Sequence, residues 1–197
     1  NSRQPRTTLL VSVELCSLHL QTEPTRDNIL ANMIFADGCS AALFSTAPGV
    51  PAKAQLVGTF SHIFPSSAHL MGWEIGDTGF EMMLSSQLPE IIEQQAAPVA
   101  KQVIERMGLE PKQIRHWALH PGGRAIIDAL QTGLQLSDEQ TEPSRTVLRQ
   151  YGNMSSASIL FVLKEIFSST RLEPDEWLCA IAFGPGLSME MAFLKGV

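Results

Sequence analysis

The sequence YGNMSSAS at residues 151–158 leads directly into a helix that is apolar on every side. Apolar residues continue through 159–163 and recur at 166 and 167, so we expect this helix to be buried on most of its circumference. Ser155 and Ser156 can cap its first N–H groups, and Asn153 precedes them where the helix dipole favours negative charge. The stretch therefore predicts an oxyanion site at Asn153, or more simply a turn that Gly152 and Asn153 complete.

Composition restricts the function classes. The 197 residues are 44% hydrophobic and 17% charged, which allows a substantial core in one domain or two small ones. A net charge of -6 without a Lys/Arg cluster argues against nucleic acid or a membrane surface as the partner. No apolar run approaches the ~20 residues of a membrane helix. Cys16, Cys39 and Cys179 lie in apolar runs without framework spacing, which indicates buried reduced thiols in a cytoplasmic protein.

Strand-like and helical patterns alternate along the chain. We predict strands over residues 8–16, 39–44, 53–60, 79–84, 116–120, 177–183 and 188–194. Helices are predicted over residues 28–35, 86–108 with a bend at Pro98, 124–130, 144–150 and 154–167, with an irregular segment at 61–76. This alternation, with one helix buried all round, predicts an α/β fold with a helix between layers of sheet.

The sequence LHPGG at residues 119–123 is a second candidate for chemistry. His120 ends a predicted strand, and the glycines after it allow close approach of backbone, so its imidazole should point into the cavity at that strand end. A histidine and an asparagine at two helix mouths can donate two hydrogen bonds to one carbonyl oxygen. Loss of one such donor typically lowers the rate by a factor of about 10² to 10³. An ordinary core histidine before a tight turn has the same spacing.

Three motifs, HPGG (120–123), YGNMSSAS (151–158) and FGPGL (183–187), resemble in order and interval the last signatures of the type III polyketide synthases, the chalcone synthase family. FADG at residues 35–38 resembles a fourth. The resemblance spans essentially the whole chain and implies a thiolase-like αβαβα architecture, of which residues 1–197 would be the C-terminal half. Ketoacyl-ACP synthase III enzymes share the Cys, His and Asn set, but they have a different motif around the His and a Thr in place of Met154.

The family resemblance implies an acyltransferase. In that family a Cys thiolate takes an acyl starter from coenzyme A, malonyl-CoA loses CO2, and the resulting enolate attacks the enzyme-bound acyl group in a decarboxylative Claisen condensation. Coenzyme A thioesters are then substrates, no bound cofactor or metal is expected, and a homodimer is the expected assembly.

The resemblance also assigns roles to residues. His120 corresponds to the catalytic His and Asn153 to its partner donor. Phe35 and Phe80 correspond to gatekeeper aromatics, although plain core packing explains them equally well. The cavity and pantetheine contacts would come from Cys16, His19, Gly122, Gly123 and Ala125. Plant members usually have hydroxyl residues at the positions of Cys16 and His19, so aromatic and aliphatic starters both remain open.

The nucleophile is the main departure from the family. A nucleophilic Cys should sit at a helix N-terminus, where the dipole and the His lower its pKa. Cys16 and Cys179 fall within predicted strands and Cys39 begins one, so we expect each to be an inert buried thiol. The resemblance to the family, through its order of motifs, implies that the nucleophile lies upstream of Asn1 and that the isolated chain is inactive. Two alternatives stay open: a ketoacyl-ACP synthase III-like condensing enzyme, and a non-catalytic thiolase-like assembly domain with a sticky exposed face.

Overall fold

The computed structural model describes residues 4–47, 49–77 and 79–197. Its strands, in chain order, are β1 (Thr7–Glu14), β2 (Gly38–Ser45), β3 (Gln55–Ile63), β4 (Met71–Gly76), β5 (Gly79–Leu84), β6 (Ile114–Leu119), β7 (Trp177–Gly184) and β8 (Ser188–Lys195). Its α-helices are α1 (Arg26–Ile34), α2 (Leu88–Ile91), α3 (Ala97–Arg106), α4 (Arg124–Leu134), α5 (Asp138–Tyr151) and α6 (Ser158–Ser169). Short 3₁₀ segments cover Cys16–His19, Pro111–Gln113 and Ser155–Ala157, and a π-helical segment covers Ile92–Ala96.

The main sheet has four strands in the order β3-β8-β7-β6. β6 and β7 are parallel, and the other pairs are antiparallel. A parallel pair needs a long crossover, which α4, α5 and α6 supply between β6 and β7. By contrast, β7 and β8 are joined by the tight turn at Gly184-Pro185-Gly186. The sequence pattern predicted this hairpin, and the structure confirms it.

Helices cover both faces of this sheet, and the alternation of side chains along β7 shows the division. Cys179 and Ile181 belong to a cluster with α3 and α4, whereas Leu178 and Ala180 belong to a cluster with α6. Successive strand residues point to opposite faces, so a strand buried on both faces reads as a continuous apolar run. The segment from Leu178 through Ile181 is accordingly buried throughout.

A second sheet, formed by β1 and β2, lies on the other side of α6. The two strands are antiparallel, with Glu14 opposite Gly38. The Ser40 hydroxyl donates to the carbonyl of Ala157, in the 3₁₀ segment that leads into α6. The layers are therefore α3 and α4, the four-stranded sheet, α5 and α6, and the two-stranded sheet. This order reproduces the predicted alternation of helix and sheet layers.

The predicted burial of α6 on most of its circumference is wrong in extent. Val162 and Ile166 are buried against the main sheet, but Ile159, Leu160 and Phe161 are only half-buried. β1 and β2 cover the start of the helix, and no other described element covers the rest of that side. An apolar helix surface signals that a partner is needed, but the sequence does not say which part of this chain supplies it.

The segment predicted to be irregular, residues 61–76, is largely ordered. β3 continues to Ile63, and β4 pairs with β5 in an antiparallel hairpin that places Trp73 opposite Met82. Cys16 lies in a 3₁₀ turn rather than within a strand, because β1 ends at Glu14. The extension of β3 depends on β8, which is distant in sequence, whereas β4 pairs with the next strand, β5, across a tight turn.

Two helix predictions also need correction. The polar run before residue 144 is helical, since Ser137 forms a capping box with Gln140 and α5 begins at Asp138 with Pro143 inside it. In the helical stretch that follows β5, the irregularity precedes the proline. A π-helical segment at Ile92–Ala96 comes before Pro98, which sits in the first turn of α3. Proline cannot continue the preceding hydrogen-bond ladder, and here the ladder widens one turn earlier.

Candidate functional site

A cavity of about 640 Å³ lies where the C-terminal end of β6 meets α1, the β4–β5 hairpin and the start of α2. His120 and Asn153 both line it. Its walls are mostly apolar, with a few polar groups that converge from separate segments. Such a composition is typical of a binding site for a small organic ligand.

His120 is held at the end of β6 by its neighbours in the sheet. Its backbone N–H donates to the carbonyl of Ile181 at 2.8 Å, which extends the pairing with β7 by one residue. The preceding N–H, that of Leu119, donates to the buried hydroxyl of Ser144 at 3.0 Å on the outer edge of the sheet. The N–H of Gly122 then donates to the carbonyl of His120 at 2.8 Å and closes a tight turn before α4. Hydrogen bonds to β7 on one side and to α5 on the other therefore fix the end of β6, and the chain turns away directly after the imidazole.

Burial lowers the pKa of His120 from 6.5 to about 4. His120 is half-buried and borders the cavity. Because desolvation penalises the charged form, the ring is neutral at neutral pH. A neutral imidazole has one N–H donor and one acceptor nitrogen, so it can donate to a carbonyl oxygen or accept a proton.

Asn153 is 3% exposed, and contacts at both ends of its amide fix its orientation. Its Oδ1 accepts from the N–H of Ser155 at 2.9 Å, and its Nδ2 donates to the carbonyl of Gly122 at 3.3 Å. These partners decide which end of the amide is oxygen, because a backbone N–H needs an acceptor and a carbonyl needs a donor. Nδ2 has a second N–H, and the cavity borders this residue.

The backbone of Asn153 is paired with the turn that carries Phe35. Asn153 N–H donates to the Ile34 carbonyl at 2.8 Å, and Ala36 N–H donates to the Asn153 carbonyl at 2.9 Å. This isolated parallel bridge lies between residues 118 positions apart in the chain. Phe35 and Asn153 therefore belong to one rigid unit on the cavity wall, and Gly122 connects that unit to His120.

The other residues predicted for the site also line this cavity: Phe35, Phe80, Cys16, His19, Gly122, Gly123 and Ala125. His19 lies between two aromatic rings of the β4–β5 hairpin. Its ring centroid is 5.1 Å from that of Trp73 and 5.7 Å from that of Phe80. The structure thus brings the whole predicted set to one place, although it assigns no role to any member.

Sequence reasoning missed several residues of the cavity wall. Glu14, Trp73, Met82 and Ser155 border it as well. Trp73 and Met82 were missed because the hairpin partner of β5 was read as irregular. An alternation of apolar and polar residues at 71–76 was the available signal. Glu14 has no such signal, since a carboxylate at a strand end is ordinary in a sequence.

The three cysteines differ in their surroundings. Cys179 is fully buried in β7, and burial raises the pKa of its thiol. Burial, followed by the nearby carboxylates of Glu14 and Asp37, raises the pKa of Cys16. Cys39 is exposed, which contradicts the prediction of an inert buried thiol, and it does not border the cavity. Neither thiol with a raised pKa is activated as a nucleophile, because the thiolate is the reactive form.

The part of the chain that the structure describes has neither a metal-binding cluster nor a membrane-spanning helix. Over residues 4–47, 49–77 and 79–197, no group of three or more His, Cys, Asp and Glu side chains could hold a metal ion. Across the same part of the chain, no helix combines the length and apolar character needed to cross a membrane.

Comparison with known proteins identifies the family. The C-terminal domain of chalcone and stilbene synthases matches residues 55–197. The chain belongs to the chalcone and stilbene synthase family. A curated relative, 1,3,6,8-tetrahydroxynaphthalene synthase of Streptomyces peucetius subsp. caesius, is 34% identical over 195 residues, which cover 96% of this chain and 51% of the relative. The relatives of this family member are type III polyketide synthases.

Solved structures from the same family confirm the fold. PKS-I from the brown alga Ectocarpus siliculosus matches with a TM-score of 0.90 and 30% identity, over 98% of this chain and 53% of that structure. The 1,3,6,8-tetrahydroxynaphthalene synthase from Streptomyces coelicolor A3(2) is a bacterial type III polyketide synthase. It matches with a TM-score of 0.90 and 29% identity, over 96% of this chain and 54% of that structure. The predicted thiolase-like α/β architecture is therefore confirmed. The chain spans about half the length of these relatives.

Proposed function

We propose that this chain is the C-terminal part of a type III polyketide synthase that condenses an acyl-CoA starter with malonyl-CoA. The observation that carries the proposal is the convergence of His120 and Asn153 on one cavity, linked through Gly122. His120 and the free N–H of the Asn153 amide donate to the thioester oxygen of malonyl-CoA. As CO2 leaves, this oxygen gains the negative charge of the enolate, which both donors stabilise.

The neutral state of His120 supports this role. An imidazole with a pKa of about 4 stays uncharged at neutral pH and so keeps a donor without adding a buried charge. A nearby thiolate would favour the charged ring, because an opposite charge raises the pKa of a histidine. His120 would then shift between a neutral donor and a partner of the nucleophile as the thiol is acylated and released.

The residues around these donors shape the rest of the site in this proposal. Phe35 and Phe80 act as the aromatic gate, with Phe35 fixed by its bridge to Asn153. Cys16 and His19 form the wall against the acyl chain. Gly122, Gly123 and Ala125 line the same cavity as His120 and contact the pantetheine arm of coenzyme A. No resident cofactor takes part, and the thioesters are substrates.

We propose further that the nucleophilic Cys belongs to an N-terminal half of the synthase. Two observations support this assignment. The pKa values of the Cys16 and Cys179 thiols are raised, and Cys39 lies outside the cavity. The outer face of β1 and β2 is apolar and exposed, with Leu9 at 62% and Leu43 at 64%. That face and the uncovered side of α6 would pack against the N-terminal half, and the complete synthase would form a homodimer.

The experiment compares the isolated chain with the complete synthase. Each is incubated with acyl-CoA and malonyl-CoA, CO2 release is measured, and mass spectrometry locates any acyl group. We expect no acylation and no decarboxylation by the isolated chain, and acylation of a Cys outside residues 1–197 in the complete synthase. In that synthase, His120→Ala and Asn153→Ala should each lower the rate of decarboxylation by about 10² to 10³.

The exposed histidine at position 69 offers a control, because His69→Ala removes an imidazole outside the cavity. Acylation of Cys16 or Cys39 in the isolated chain would overturn the assignment of the nucleophile. An unchanged decarboxylation rate in Asn153→Ala would overturn the role of the amide. A strong preference for acyl carrier protein over coenzyme A thioesters would favour the ketoacyl-ACP synthase alternative.

A further inference from the structure

The turn that follows Asn153 is strained and depends on its surroundings. Ser155 has a φ of 49°, in the left-handed region that residues with a side chain seldom adopt. A conformation of this kind persists only where neighbouring contacts hold it. The N–H of Ser155 is also the donor that fixes Oδ1 of Asn153. If the turn relaxed, the amide would lose the contact that sets its orientation.

The next residue of the turn is anchored from outside. Oε1 of Glu14, the last residue of β1, accepts hydrogen bonds from both the backbone N–H and the hydroxyl of Ser156. The neighbouring N–H groups have local partners: Met154 N–H donates to the Ser158 hydroxyl at 2.7 Å, and Ala157 N–H donates to the Met154 carbonyl at 3.1 Å. Glu14 is separated from Ser156 by 142 positions, so it ties the turn to a different layer of the fold.

The chemistry of this contact suits a fixed anchor. A carboxylate at the beginning of a helical segment is stabilised by the free N–H groups and the dipole. Hydrogen bonds to a charged acceptor are stronger than those between neutral groups. Glu14 is half-buried on the cavity wall, and its contacts with Ser156 turn its carboxylate towards the turn.

We infer that Glu14 is a positioning residue for Asn153: it holds the strained turn that aims the amide into the cavity, and it does not touch the reacting atoms. The inference rests on the proposed function for its kinetic readout. It adds to that function a residue whose effect passes entirely through Asn153. The effect of Glu14 should therefore vanish where Asn153 is already gone.

The test is a double-mutant cycle in the complete synthase, with kcat for malonyl-CoA decarboxylation as the measurement. Glu14→Ala should lower kcat by about tenfold to a hundredfold, less than the full loss of an oxyanion donor, with little change in KM. In the Asn153→Ala background, Glu14→Ala should cause no further loss. Glu14→Gln should keep most of the activity, because its amide oxygen can still accept from Ser156.

A matched control uses another side-chain contact from the two-stranded sheet to this turn. Ser40→Ala removes the hydrogen bond to the Ala157 carbonyl, at the far end of the turn from Asn153, and should leave kcat nearly unchanged. A loss from Glu14→Ala of similar size in both backgrounds would overturn the inference, because it would show a general structural role. Wild-type kcat in Glu14→Ala would overturn it as well.

A second measurement does not depend on activity. In the isolated chain, the side-chain amide protons of Asn153 can be identified by NMR as the pair that Asn153→Asp removes. Glu14→Ala should shift and broaden this pair, whereas Ser40→Ala should leave it in place. If the synthase shows no decarboxylation, the proposed function fails while this measurement still decides the positioning role. An unchanged amide pair in Glu14→Ala would contradict that role.

Discussion

The lowered pKa of His120 makes the stability of this chain depend on pH. Folding lowers the pKa from 6.5 to about 4, so between these values the unfolded state binds more protons than the folded state. Stability due to this group is fully present above pH 6.5, falls as the pH drops towards 4, and changes no further below that. Replacement by glutamine removes the titration and keeps a polar side chain of similar length.

The linkage relation gives the magnitude. With a pKa of 6.5 in the unfolded state and about 4 in the folded state, His120 lowers the free energy of unfolding by about 2 kcal/mol at pH 5 and about 3 kcal/mol at pH 4, relative to pH 8. Carboxylates titrate in the same range, but they are common to wild type and His120→Gln. The difference between the two proteins therefore isolates the imidazole.

The assay is urea unfolding of the wild type and His120→Gln at pH 8, 6 and 5, followed by far-UV circular dichroism. Between pH 8 and pH 5, the free energy of unfolding should fall by about 2 kcal/mol more for the wild type than for His120→Gln. His69→Gln serves as the control for removal of an exposed imidazole. Parallel pH profiles for wild type and His120→Gln would refute the reasoning, and so would an NMR titration of His120 with a midpoint near 6.5.

Two further substitutions test the backbone that holds the site. Gly152 has a φ of +74°, and an added Cβ would lie 3.0 Å from the Ile34 carbonyl oxygen, whereas Gly49 has a φ of +76° with no atom within 4 Å. Gly152→Ala should therefore lower the free energy of unfolding by about 1 to 3 kcal/mol more than Gly49→Ala in urea unfolding, and equal losses would contradict the close approach. Ser144→Ala should lower it by about 1 to 3 kcal/mol, because the N–H of Leu119 loses its buried acceptor. Ser169→Ala, at the exposed end of α6, should change it by less than about 0.5 kcal/mol, and thermal unfolding of both variants would reveal any reversal of this order.

Local patterns were enough to predict much of the fold. Long apolar runs gave β7 and β8, and helical spacing gave α6. The capping predicted for Ser155 and Ser156 is wrong, because Ala157 precedes α6 without a side-chain cap and the Ser158 hydroxyl accepts from the N–H of Met154. The tight glycine turn after β6 placed His120 at a strand end, as the structure shows. These elements are decided by residues that are close in the chain, so their periodicity is visible in the sequence. His120 and Asn153 line one cavity in the structure, and their catalytic roles are proposals.

The errors have two sources: a local alternation that was not recognised, and contacts between elements distant in the chain. β4 exists because β5 pairs with it, and the register that puts Trp73 opposite Met82 depends on that pairing. How much of the apolar surface of α6 stays exposed depends on how many strands pack over it. Glu14 was missed because its importance comes from a contact with Ser156 across two layers. The alternation at residues 71–76 could have revealed β4, whereas the exposed side of α6 and the contact of Glu14 with Ser156 have no local pattern.

By itself, the sequence determined which residues meet at the site: an imidazole after a strand, an amide before an apolar helix, and small residues where backbones meet. Only the tertiary structure decided how these groups are oriented. The bridge between Phe35 and Asn153, the contacts at both ends of the Asn153 amide and the burial of His120 each depend on elements far apart in the chain. Hydrogen-bond direction and desolvation are properties of assembled surroundings, so they exist only after the layers have packed.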